Sequence, residues 1–192
     1  MPSLQASFKE LQERLGSGSP SFGNTGDDPV YYLIFGPEEM LEVKRCLKQW
    51  TAKLKIDGWA VHKFSMAEAV HKILRGLALR DVMLQSEAEC PLDFTAINAT
   101  LRDALTADDA LKNALQKKLE ELNGQPHAML LVTDLEALHP YLRVGSIEQK
   151  LQGKFTVPTV FLYPGIRTGK ATLKFLGIYP EDGNYRSTHI GG

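Results

Sequence analysis

Three short, largely apolar stretches constrain this chain more than any other feature. They are Val30-Tyr-Tyr-Leu-Ile-Phe35, Ala128-Met-Leu-Leu-Val-Thr133 and Val157-Pro-Thr-Val-Phe-Leu-Tyr163. Each is far shorter than the ~18 residues of a membrane span. Continuous rather than alternating apolarity marks strands covered on both faces. Each run ends in a turn or cap signal: Gly36-Pro37, Asp134 and Pro164-Gly165.

Helical stripes separate these runs. Met40, Val43, Leu47, Trp50 and Leu54 form one, opened by Pro37 and the acidic pair Glu38-Glu39. Val70, Ile73, Leu74 and Leu77 form another behind the capping box Ser65-x-x-Glu68. Leu111, Leu115, Leu119 and Leu122 form a third, with Thr106-x-x-Asp109 as its cap and Asn123-Gly124 as its stop. Trp59–Phe64 reads as a shorter strand, and Leu173–Ile178 as a last one folding back beside Val157–Tyr163. A helix is expected through about 141–151.

Strands alternating with helices require crossover connections. The expected fold is therefore α/β and three-layered. A mostly parallel sheet of about five strands, the last antiparallel, carries helices on both faces. This architecture is Rossmann-like and resembles a P-loop fold in degenerate form.

Ahead of this body, Leu4, Phe8, Leu11 and Leu15 recur at helical spacing behind Ser3. Residues 16–29 hold four Gly and two Pro, the composition of a flexible connector. The expected division is a helical arm and linker over 1–29 and a single α/β domain over 30–192. The arm docks either on the body or on a partner. Residues 81–109 carry seven acidic side chains against one Arg. They read as a helix end, a turn near Pro91 and a short helix over Ile97–Leu105, with a solvated acidic face.

The residues exclude several chemistries. The nearest approach to a phosphate loop, Gly165-Ile-Arg-Thr-Gly169-Lys170-Ala171-Thr172, has only three residues between its glycines. It places Ala171 where a magnesium-binding hydroxyl belongs, and strand-like sequence follows it. At the first strand end, Glu38 and Glu39 repel an anion and Pro37 lacks an N–H. Asp134 reads as a helix cap. The five histidines are scattered, and neither cysteine has an evident base, so no catalytic residue, metal ligand or cofactor is indicated. Cys46 and Cys90 read as buried free thiols of a cytoplasmic protein, and no signal peptide or membrane segment is visible. Overall charge nearly cancels, 22 basic against 23 acidic. From Tyr141 onward, however, seven basic residues face three acidic ones. Lys150, Lys154, Arg167, Lys170 and Lys174, interleaved with aromatics, form a candidate basic face for phosphate backbone.

The C-terminal third also carries an ordered set of short motifs. His139-Pro140-Tyr141-Leu142-Arg143 follows a strand ending in Thr-Asp. Val157–Gly165, Leu173-Lys-Phe-Leu-Gly177 and Asn184-Tyr185-Arg186 come after it. In order and spacing these resemble the BrxB family of bacteriophage-exclusion (BREX) defence islands, most strongly over 128–187. The resemblance implies a non-catalytic core component of a phage-defence complex. It would bind other BREX proteins: a PglZ-type phosphatase-like protein, the large ATPase and, as a further partner, the methyltransferase. Pro140, Arg143, Tyr163, Pro164, Gly165, Asn184, Tyr185 and Arg186 are the motif positions this resemblance marks. On their own chemistry, Pro164-Gly165 would make a turn, Arg143 would bond carbonyls or a carboxylate, and Asn184–Arg186 would anchor the C-terminus. The alternative is a nucleic-acid adaptor contacting DNA or RNA weakly through the basic face.

Overall fold

A computed structural model describes residues 2–16, 28–169, 172–183 and 187–192. The chain begins with helix α1 (Leu4–Gly16), then strand β1 (Val30–Phe35), a 3-10 turn over Pro37–Glu39 and helix α2 (Met40–Ile56). Strand β2 (Ala60–Ser65) leads into α3 (Met66–Arg75), α4 (Arg80–Glu89), α5 (Phe94–Thr106) and α6 (Ala110–Leu122). Strand β3 (Ala128–Thr133), a 3-10 turn over Leu135–Leu138 and α7 (Val144–Lys150) follow. Strands β4 (Thr159–Arg167), β5 (Leu173–Phe175) and β6 (Thr188–Gly191) complete it.

The sheet order is β2-β3-β4-β1-β6, with β5 paired to β4. All pairings are parallel except β4–β5. The expected α/β architecture is thus present, with six strands among the described residues where about five were expected. The expected antiparallel return beside β4 is present as β5 (Leu173–Phe175), and a further strand, β6, closes the sheet parallel to β1. Thr188-His-Ile-Gly191 has a single large apolar residue, so no pattern announced it.

Alternation along β1 distributes the core. Val30, Tyr32 and Ile34 face one layer, packed with α3, α5, α6 and α7. Tyr31, Leu33 and Phe35 face the other, packed with α1 and α2. All six are buried, as continuous apolarity requires. Helix α6 buries Leu111, Leu115, Leu119 and Leu122, the four residues of its stripe. Its expected cap is absent: Asp109 holds the N-cap position in a left-handed conformation and makes no side-chain cap bond. Ser65 does cap α3, accepting from the Glu68 N–H at 3.3 Å.

The N-terminal helix lies on its own body. Phe8, Leu11 and Leu15 are buried, and the Phe8 ring stacks on Trp50 with centroids 4.7 Å apart and planes 5° apart. Each such side chain contributes about 1.5–3 kcal/mol. That holds a helix which would be marginal in isolation at this length. The connector residues 17–27 lie outside the described residues.

Candidate functional site

In parallel sheets, ligands bind beyond the carboxyl ends of the strands. Here that edge assembles Gly36 after β1, Ser65 at the end of β2, Thr133 at the end of β3 with Asp134 after it, and Lys44 from α2. Asp134 is the hub. Its Oδ2 accepts from Ser65 Oγ at 2.6 Å and from Thr133 Oγ1 at 2.7 Å. Its Oδ1 lies 3.2 Å from Lys44 Nζ, which also bonds Glu136 Oε1 at 2.5 Å. Burial would raise the Asp134 carboxyl, but the bonds from Ser65, Thr133 and Lys44 outweigh it and hold the pKa below the ordinary value. Lys44 is raised, chiefly by its bond to Glu136. Asp134 therefore does not cap the following turn through its side chain, as its sequence position suggested. It takes a left-handed backbone conformation, φ 61°, and turns its carboxylate back across two strand ends.

This edge is filled by the chain's own groups. The Gly36 N–H donates to Glu39 Oε2 at 2.9 Å. The Glu38 carboxylate folds over Gly36 so closely that a Cβ there would lie 2.2 Å from Glu38 Oε1. Two carboxylates thus occupy the turn where a phosphate-binding fold presents bare N–H groups. Replacing Asp134 by Ala strips the acceptor from the Ser65 and Thr133 hydroxyls. The expected cost is about 1–3 kcal/mol in urea unfolding.

The near-match to a phosphate loop begins within the antiparallel pair β4–β5, its Lys170 and Ala171 lying outside the described residues. Pro164 and Gly165 lie inside β4 instead of forming the expected turn, and β5 returns antiparallel across Gly165–Arg167. At Pro164 the strand changes partners: Pro164 sits opposite Phe35 of β1, and its carbonyl accepts the Leu176 N–H at 2.9 Å. Gly165 is required by space, since a Cβ would fall 2.5 Å from Tyr163 Cε1 and 2.6 Å from the Lys174 carbonyl oxygen.

The motif residues gather unevenly. The His139–Pro140 peptide is cis, and the loop after it carries the Arg143 guanidinium over the Tyr179 ring, 4.9 Å from its centroid. His139 Nδ1 hydrogen-bonds the Tyr179 hydroxyl. Arg143 thus meets an aromatic face where a carbonyl or carboxylate was expected. Tyr163 is fully buried against Tyr32 and Phe175, which makes it core. Asn184, Tyr185, Arg186 and Lys170 lie outside the described residues.

The described basic residues lie on different elements. Lys150 ends α7 and bonds Asp109 at 2.5 Å, with Lys154 four positions on, near the start of β4. Arg167 and Lys174 sit at the far end of β4, on the hairpin with β5.

Sequence reasoning missed a second polar cluster inside the sheet layer. Tyr32 donates to Glu148 Oε2 at 2.5 Å, and its ring meets His189 edge-on at 5.7 Å. Burial pushes the Glu148 carboxyl up to about 7, opposed by the Tyr32 bond and reinforced by Asp28 and Asp182. Burial, with Arg167 nearby, pushes the His189 imidazole down to about 4. Nothing in the local sequence places Glu148 near β1, 116 residues away. The cysteines also differ from expectation: Cys46 is half-buried and Cys90 exposed. The middle segment departs further, exposing large apolar side chains among its acids.

Among the described residues no group of three His, Cys, Asp or Glu side chains could hold a metal ion, and no helix is long and apolar enough to cross a membrane. No curated protein and no solved structure matches the chain. A family model described as BREX protein BrxB matches residues 62–190. With about two thirds of its length matched, the chain belongs to the BrxB family and is a component of a BREX phage-defence system.

Proposed function

We propose that this protein is a non-catalytic adaptor that holds other BREX components together. The PglZ-type phosphatase-like protein and the large ATPase are its expected contacts. One observation carries this role: the carboxyl edge of the sheet, where such folds grip small ligands, is occupied by Glu38, Glu39 and the Lys44–Asp134–Glu136 cluster. One cation shared by two carboxylates leaves no positive charge for a triphosphate. What remains for a family member in a multi-protein defence system is attachment.

Co-expression of the tagged chain with the PglZ-type protein and with the ATPase tests this. A stable complex with at least one is expected. Millimolar magnesium-ATP, GTP or NAD is expected to leave the melting temperature unchanged, because only a ligand that binds the folded state raises it. A clear upward shift with any of these nucleotides overturns the non-catalytic part. Failure to bind either protein overturns the adaptor role. Salt-dependent DNA binding lost on Arg167→Glu would instead move the role to nucleic acid.

A further inference from the structure

Helix α4 (Arg80–Glu89) has no buried residue. Ten residues without a packed face form a marginal helix in water, because nucleation costs more than so few hydrogen bonds return. The segment around it is nevertheless apolar. Leu79, Val82 and Leu84 are 67%, 62% and 46% exposed, and Leu92 and Phe94 are 82% and 65% exposed. Five large apolar side chains within one short segment are not the scattered singles of an ordinary surface. Helix α5 anchors the far end of the segment through buried Leu105, so the α4–α5 turn is held at its base and projects at its tip.

Charge identifies the kind of partner. Asp81, Glu87, Glu89 and Asp93 accompany the apolar residues, against Arg80 alone. The Asp81 side chain is almost fully exposed and meets only Arg80, at 3.7 Å. A polyanion is repelled here, which removes nucleic acid and anionic lipid as occupants. Protein interfaces put apolar side chains at the centre and charges at the rim.

We propose that residues 79–94 are a docking surface for a protein that presents an apolar strip flanked by Lys and Arg. The inference rests on the adaptor role above and gives it a surface. Docking buries the apolar side chains that α4 leaves exposed. The acidic rim steers the approach.

The test uses the full chain and two sets of substitutions at exposed positions, which leave the core intact. The first is Leu84→Ser with Leu92→Ser and Phe94→Ser. The second is Asp81→Lys with Glu87→Lys and Glu89→Lys. Affinity for the PglZ-type protein and for the ATPase is measured for each by titration calorimetry. The apolar set is expected to weaken the complex about thirtyfold or more. The charge set is expected to slow association and flatten its salt dependence. Both are expected to keep the parent's melting temperature, and α4 amides are expected to gain hydrogen-exchange protection on binding.

Two outcomes separate the claims. If the parent chain binds one of these proteins and both sets bind equally well, this surface is wrong and the adaptor role stands. If the parent binds neither, the adaptor role itself fails. A parent dimer that the apolar set converts to monomer also overturns the proposal, because the occupant is then a second copy.

Discussion

Phe161→Ala is expected to lower the unfolding free energy by about 3–5 kcal/mol, a large part of the stability of a domain this size. The ring is fully buried on the central strand β4, stacked on Tyr32 at 5.1 Å and met edge-on by Phe155 at 6.2 Å. β4 lies between β3 and β1, so neither the sheet nor the helices above can collapse into the void. Urea unfolding followed by circular dichroism measures the change. The same truncation at Leu92, 82% exposed, is expected to stay within about 0.5 kcal/mol. Equal losses at both positions would contradict the assignment of core and surface.

The second large effect depends on pH. Folding raises the Glu148 carboxyl from 4.5 to about 7, so the folded state holds a proton that the unfolded chain releases. Its contribution is present below about 4.5 and is lost as pH rises through 7. Folding lowers the His189 imidazole from 6.5 to about 4, so its contribution is present above 6.5 and is lost as pH falls through 4. Between about 4.5 and 6.5 the two slopes oppose each other, and the parent protein is expected to show little net dependence from this pair. Glu148→Gln removes one side of the balance while keeping an acceptor for the Tyr32 hydroxyl. It is expected to stabilise the protein above pH 7 by about 3 kcal/mol, the free-energy equivalent of that displacement. It should leave acid stability unchanged and uncover a rise in stability with pH. His189→Phe should uncover the opposite slope. Parallel urea midpoints for parent and Glu148→Gln across this range would sink the burial argument.

Much of the fold was legible because apolarity has a period. Val30–Phe35 and Ala128–Thr133 are continuous since both faces of a central parallel strand are covered, and the leucines of α6 recur because one side is. β6 was not legible: a four-residue strand with one large apolar side chain exists only because β1 offers it a free edge. Pro164-Gly165 misled for a related reason. The pair carries turn chemistry, yet in β4 it marks the exchange of one strand partner for another. The carboxyl-edge cluster was half visible. Pro37, Glu38 and Glu39 announced that no phosphate loop follows β1 and Asp134 read only as a cap, whereas Lys44 and Ser65 met that carboxylate only through the packing of α2 and β2.

The sequence alone determined the α/β class, the buried strands and the family, because these depend on local periodicity and on short motifs in order. Tertiary structure decided the rest: that the N-terminal helix lies on its own sheet, that Glu148 reaches Tyr32, and that α4 buries none of its residues. Each of these depends on distances between residues far apart in the chain. Such distances are set by which faces pack together, and local pattern does not encode that choice.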